Sequence, residues 1–206
     1  LEAAPNLSSA RLTGVDPFSK GGGLPPLPKI ESLELTASST HACFPDMPKL
    51  TRMTLQMHNI ENLKGLCAPN LLDLTLRANN LQDLSGMDLP KLNSLNLTAN
   101  KLLSLKGLNG DTLSSFTLEA SSITTVYELL DFKKLSRLSV GTDTVLTPRI
   151  TKKDMDAAAV KTYMAKVERH FKKQSKSSKT TKTKITKSKT SKQWVAYFRK
   201  LIKSFG

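Results

Sequence analysis

The chain predicts an α/β solenoid. Short repeats wind into a right-handed superhelix, their strands stack as one parallel concave sheet, and a C-terminal helix and a basic tail follow. Three observations predict it. An apolar residue opens each repeat at Leu7, Ile30, Leu50, Leu71, Leu92, Leu113 and Leu135, in steps of 23, 20, 21, 21, 21 and 22 residues. Each opens the pattern L-x-x-L-x-L-x-x-N-x-L, clearest in Leu71-Leu74-Leu76-Asn79-Leu81 and Leu92-Leu95-Leu97-Asn100-Leu102. Charge then divides abruptly: residues 1–146 carry 13 Lys+Arg against 14 Asp+Glu, and residues 147–206 carry 18 against 3. The whole excess of +14 therefore lies after the repeats.

The strand of each repeat follows from its alternation. Leu74 and Leu76 point to one face while Asp73, Thr75 and Arg77 point to the other. One repeat cannot bury its apolar set alone, but stacked copies form a continuous core. Weaker copies read Leu50-Met53-Leu55-His58-Ile60, Ile30-Leu33-Leu35-Ser38-Thr40, Leu113-Phe116-Leu118-Ser121-Ile123 and Leu135-Leu138-Val140-Asp143-Val145. The Asn side chain contributes differently, since its amide can satisfy backbone groups of a neighbouring coil at the turn after the strand. Only Asn79 and Asn100 keep it, so this ladder is expected to be strongest in the middle of the stack.

The second half of the repeat reads Ile60-x-x-Leu63-x-Gly65-Leu66, Leu81-x-x-Leu84-x-Gly86-Met87 and Leu102-x-x-Leu105-x-Gly107-Leu108. With these residues the chain resembles the short leucine-rich repeats of intracellular proteins, about residues 4–146. That group includes a phosphatase regulatory subunit, the A-prime protein of a spliceosomal particle and an axonemal dynein light chain. The resemblance implies a leucine-rich-repeat solenoid that binds other proteins. It names no partner, because such proteins share a scaffold and differ in what they hold. The first repeat departs most, with Gly21-Gly22-Gly23 after Phe18-Ser19-Lys20. No Gly-Lys-Ser/Thr follows, so this is not a phosphate loop.

The repeats are followed by three segments: a capping helix over 147–171, a Lys/Ser/Thr-rich strap over 172–192, and a basic amphipathic helix over 193–206. Thr151-Lys152-Lys153-Asp154 reads as a capping box that starts the first helix. Met155, Val160, Tyr163, Met164, Val167 and Phe171 form its apolar stripe, expected to close the open end of the solenoid. The strap holds nine Lys, five Ser, five Thr, one Gln and one Ile, with almost nothing to bury. It reads as a solubilising linker or as an electrostatic strap for a polyanion: RNA, acidic lipid, or acidic protein tails such as those of tubulin. In the last segment Trp194, Phe198, Leu201 and Phe205 fall on one face, with Arg199, Lys200 and Lys203 on the other. A partner-protein groove suits that face best; a membrane surface, calmodulin or the repeat domain itself are the alternatives.

The outward strand positions are short and polar, so the concave face can lie along a helix or strand but cannot grip a large apolar knob. Arg52, Asp73 and Arg77 are its densest charged cluster, and Arg137 adds a further carboxylate-pairing group. The expected partner-binding residues are therefore Arg52, Asp73, Arg77, Arg137, Trp194, Phe198, Leu201 and Phe205. His41, His58 and His170 are far apart in repeat order, and no triad, metal spacing or carboxylate pair can be assembled. A non-enzymatic protein without cofactor or metal is expected.

Only Cys43 and Cys67 occur, without the terminal cysteine clusters of extracellular repeat proteins, which favours a reducing compartment. There is no signal peptide and no apolar run near the ~20 residues that span a membrane. Leu1-Glu2-Ala3-Ala4-Pro5-Asn6-Leu7 mirrors Leu66-Cys67-Ala68-Pro69-Asn70-Leu71, so the chain is expected to start inside a repeat, with upstream residues or another subunit covering that end. The expected function is a scaffold or adaptor subunit of a larger cytoplasmic assembly, cytoskeletal or ciliary by preference. The alternatives are a ribonucleoprotein or mitochondrial-ribosome component whose tail contacts RNA, and a phosphatase-regulatory subunit.

Overall fold

A computed structural model of the chain describes residues 6–14, 23–37, 44–57, 59–63, 66–82, 84–85, 88–124, 126–141, 146–150 and 154–177. Seven strands pair in parallel, each with the next in chain order: β1 (Ser9–Thr13), β2 (Ser32–Ala37), β3 (Arg52–Met57), β4 (Asp73–Arg77), β5 (Ser94–Asn96), β6 (Ser115–Leu118) and β7 (Arg137–Val140). A two-residue strand, β8 (Asp154–Met155), runs antiparallel beside β7, and the helix α1 (Ala157–Ser177) follows. The molecule is a parallel-sheet solenoid with one C-terminal helix. Between strands the described backbone consists of turns and irregular segments, with a single 3-10 turn at Tyr127–Asp131.

The register keeps each repeat in phase with the next. Leu33, Met53, Leu74, Leu95, Phe116 and Leu138 are partners across successive strands, as are Leu35, Leu55 and Leu76. All of them are buried. A one-residue slip would turn every one of them outward, so burial itself locks the register. The openers Ile30, Leu50, Leu71, Leu92 and Leu113 are buried too, while Leu7 and Leu135, toward the two ends, are only half-buried.

A turn repeats before the openings: Leu27-Pro28-Lys29-Ile30, Met47-Pro48-Lys49-Leu50, Ala68-Pro69-Asn70-Leu71 and Leu89-Pro90-Lys91-Leu92. In each, the opener's N–H donates to the carbonyl three residues earlier, at 3.3, 3.1, 3.0 and 3.2 Å. Proline sets φ for the second residue of such a turn. The third residue then reaches along the stack: Lys91 Nζ donates to Asn70 Oδ1 at 2.6 Å, and Asn70 Nδ2 to the Pro48 carbonyl at 2.7 Å.

The turn after the strand is equally regular. Ala78, Ala99 and Ala120 have φ of 53°, 58° and 49°. Each immediately precedes the ladder residue, Asn79, Asn100 or Ser121. Asn79 Nδ2 donates to the carbonyls of Leu55 and Arg77 at 3.2 and 3.0 Å, and Asn100 Nδ2 to those of Leu76 and Thr98 at 2.9 and 3.3 Å. The buried Ser121 hydroxyl has no hydrogen-bond partner among the described residues. It lacks the length of the amide. His58, Ser38 and Asp143, the other ladder positions, lie outside the described residues. Gly107, which recurs in the second half of the repeat, has φ 92°, and a Cβ there would lie 2.9 Å from the Ser85 backbone of the preceding coil.

The helix start differs from the capping-box expectation. Asp154 is in β8, hydrogen-bonded by the Ser139 hydroxyl, and the cap is Asp156, whose Oδ1 accepts the Ala159 N–H at 2.9 Å. The sheet edge of β7 offers unpaired backbone groups, and pairing with them draws Asp154 and Met155 into strand. Thr151 itself lies outside the described residues. The stripe Val160, Tyr163, Val167 and Phe171 is buried, Met164 packs half-buried beside it, and Met155 enters the same core from β8. Phe171 meets Tyr127 edge to face at 5.7 Å, and the Tyr163 hydroxyl donates to the Pro148 carbonyl at 2.9 Å. Helix α1 thus covers the last coil. It runs on to Ser177, six residues into the segment expected to be a structureless strap.

Candidate interaction surface

Because side chains alternate across a strand, the exposed face of the sheet presents parallel polar rows. The first runs Ser9, Ser32, Arg52, Asp73, Ser94, Ser115 and Arg137; the second runs Arg11, Glu34, Thr54, Thr75, Asn96, Thr117 and Ser139. A shorter third row joins Thr13, Thr36, Gln56 and Arg77. Six inter-strand steps make each long row about 29 Å from end to end. Hydroxyls and amides dominate, so the face offers hydrogen bonds rather than apolar recesses.

Its charges are largely self-neutralised at one end. Arg11 Nε lies 2.7 Å from Glu34 Oε2, and Arg52 Nε lies 3.7 Å from Asp73 Oδ2. The Arg52 and Asp73 side chains are 75% and 48% exposed, so their pairing contributes at most about 1 kcal/mol and leaves both available to a partner. The structure therefore brings Arg52 and Asp73 together. Arg77 does not join them: it lies four residues along β4 from Asp73, about 13 Å away. Arg137 stands three strands beyond Asp73, about 14 Å across the sheet. Trp194, Phe198, Leu201 and Phe205 lie outside the described residues.

Arg137 has a setting that the repeat pattern gave no sign of. With Ser115, Thr117, Ser139, Asp154 and Asp156 it rims an open groove of about 430 Å³ over the strand positions of the buried Phe116, Leu138 and Met155. The wall formed by Asp154 exists only because β8 folds back on β7. Two carboxylates and one guanidinium make the groove suited to a polar, mixed-charge segment of chain. Asp154 already accepts from Ser139, and Asp156 caps α1.

Among the described residues, no three of His, Cys, Asp and Glu come close enough to hold a metal ion, and no helix is long and apolar enough to cross a membrane. His41, His58 and Cys43 lie outside the described residues, and Cys67 is an exposed free thiol. Burial pushes the Tyr163 hydroxyl well above the ordinary tyrosine range, which keeps it a neutral donor to Pro148. Compared with known proteins, the chain matches no family model, no curated protein and no solved structure.

Proposed function

We propose that this chain is a leucine-rich-repeat scaffold: a non-enzymatic adaptor subunit that holds a protein segment along its concave sheet within a larger cytoplasmic assembly, cytoskeletal or ciliary by preference. The observation that carries the reading is the set of in-register polar rows across seven strands, Ser9 to Arg137 in the first. An extended, hydrogen-bonding face about 29 Å long suits a helix or strand laid across it. Arg52, Arg77 and Arg137 supply carboxylate-pairing groups spread along that path. The repeat type supports the reading through resemblance, and the neutral balance of residues 1–146 favours a protein over a polyanion on this face.

The test places a photo-crosslinking residue at Thr75, mid-sheet, or at Gln82 on the flank, in chain expressed in its native cell. The reading expects a discrete protein adduct from Thr75 that disappears when Arg77→Glu and Arg137→Glu are added. A discrete adduct from Gln82 with none from Thr75 would overturn it.

A further inference from the structure

The four side chains Lys166, Arg169, His170 and Lys173 line one groove on α1, with Pro148 as its remaining wall, enclosing about 230 Å³. Their spacing of three, four and seven residues puts them on one face of the helix, flanking the buried stripe of Tyr163, Val167 and Phe171. Lys166, Arg169 and Lys173 are exposed. The only carboxylate of α1, Glu168, is held by Lys172 at 2.6 Å and does not line this groove. Lys166 Nζ donates to the Arg149 carbonyl and Arg169 Nε to the Ala165 carbonyl. Those bonds orient both groups and leave ammonium protons and the terminal guanidinium donors to spare.

We infer that this groove is a phosphate-binding site that seats the backbone of a single-stranded nucleic acid. Three cations and an imidazole converge on a space without a carboxylate, which is the donor set for an oxyanion. Lys166 to Lys173 climbs about 10 Å of helix, enough for successive phosphates rather than one. An acidic peptide would present carboxylates to the same cations, and it is the alternative that the polyglutamate arm of the test excludes. A membrane is a weaker fit: the neighbouring exposed positions Ala158, Lys161 and Thr162 carry nothing large and apolar to insert. In sequence, six more lysines and no carboxylate follow in residues 178–192, which continues the same charge beyond the helix. The site is independent of the concave face, whose arginines at 11 and 52 are paired with carboxylates.

The experiment measures binding of the full chain to a labelled oligouridylate across a salt series. Parent protein is compared with a triple variant, Lys166→Gln, Arg169→Gln and Lys173→Gln, and with a charge-matched control, Lys101→Gln, Lys106→Gln and Lys161→Gln. All the changed positions are exposed, and equal thermal midpoints verify folding. The inference expects the groove variant to lose at least tenfold in affinity and its salt slope to fall by about 2, at roughly 0.7 for each of three phosphates. The control should stay within twofold of parent. Equal losses in both variants, or no loss in the groove variant, would overturn it. So would parent protein that binds polyglutamate or anionic vesicles at the same salt but not the oligouridylate.

Discussion

The side-chain amide of Asn100 donates to the main-chain carbonyl of Leu76, 24 residues earlier and one coil away, at 2.9 Å. Asn79 does the same to Leu55. Both side chains are buried, so each bond joins two coils where water cannot substitute. Replacing Asn100 by Ala should cost about 1–3 kcal/mol by leaving the Leu76 carbonyl unpaired. Asn100→Asp should cost more, since it sets a carboxylate against two carbonyl oxygens. Urea midpoints of the two variants give the order, and an aspartate variant as stable as the parent would refute it.

Ser121 occupies the same position one coil later with a buried hydroxyl that has no partner among the described residues. Ser121→Asn should reach the Leu97 carbonyl, as its two counterparts reach theirs, and stabilise by about 1 kcal/mol. A lowered thermal midpoint would show that the coil there leaves no room for the amide.

The left-handed alanines give a reversed expectation for glycine. A non-glycine residue in that conformation costs about 1–2 kcal/mol, so Ala99→Gly, at φ 58°, should be neutral or stabilising. Ala165→Gly, inside α1, should cost about 1 kcal/mol. Measuring both by denaturant titration separates backbone strain from the general cost of glycine.

Gly110 lies under an aromatic ring. A Cβ there would sit 1.9 Å from Phe132 Cδ1, and Phe132 meets Phe116 edge to face with centroids 6.2 Å apart. Gly110→Ala should therefore displace Phe132 and cost about 1–3 kcal/mol. Adding Phe132→Leu should give a total smaller than the sum of the two single effects, because both act on one space.

Tyr163 predicts a pH dependence. Its hydroxyl pKa is raised by burial, so the folded chain holds a proton that the unfolded chain releases near pH 10. Stability from this group is fully present below about pH 10 and declines as pH rises further. Tyr163→Phe should lose about 1 kcal/mol at neutral pH with the bond to Pro148. It should also show a shallower alkaline decline than the parent, and parallel declines would argue against this assignment.

The coil is legible in the residues alone, because its signals are local and repeated. Period-two apolar pairs dictate strands, a near-constant step dictates in-phase stacking, and Asn79 and Asn100 dictate the ladder. The Pro-Lys and Pro-Asn turns before the openings were equally local, and only the backbone bonds show their use. Other features arise from residues far apart along the chain, and these emerge only on folding. Pairing of β8 with β7 moved the helix cap from Thr151 to Asp156, since an open sheet edge outweighs a capping box. The charges on the exposed sheet face likewise depended on register: neighbouring strands put Arg52 beside Asp73, whereas four residues of rise carry Arg77 away. The cationic groove needed α1 to dock against Pro148, a meeting of segments 15 and more residues apart that no local pattern encodes.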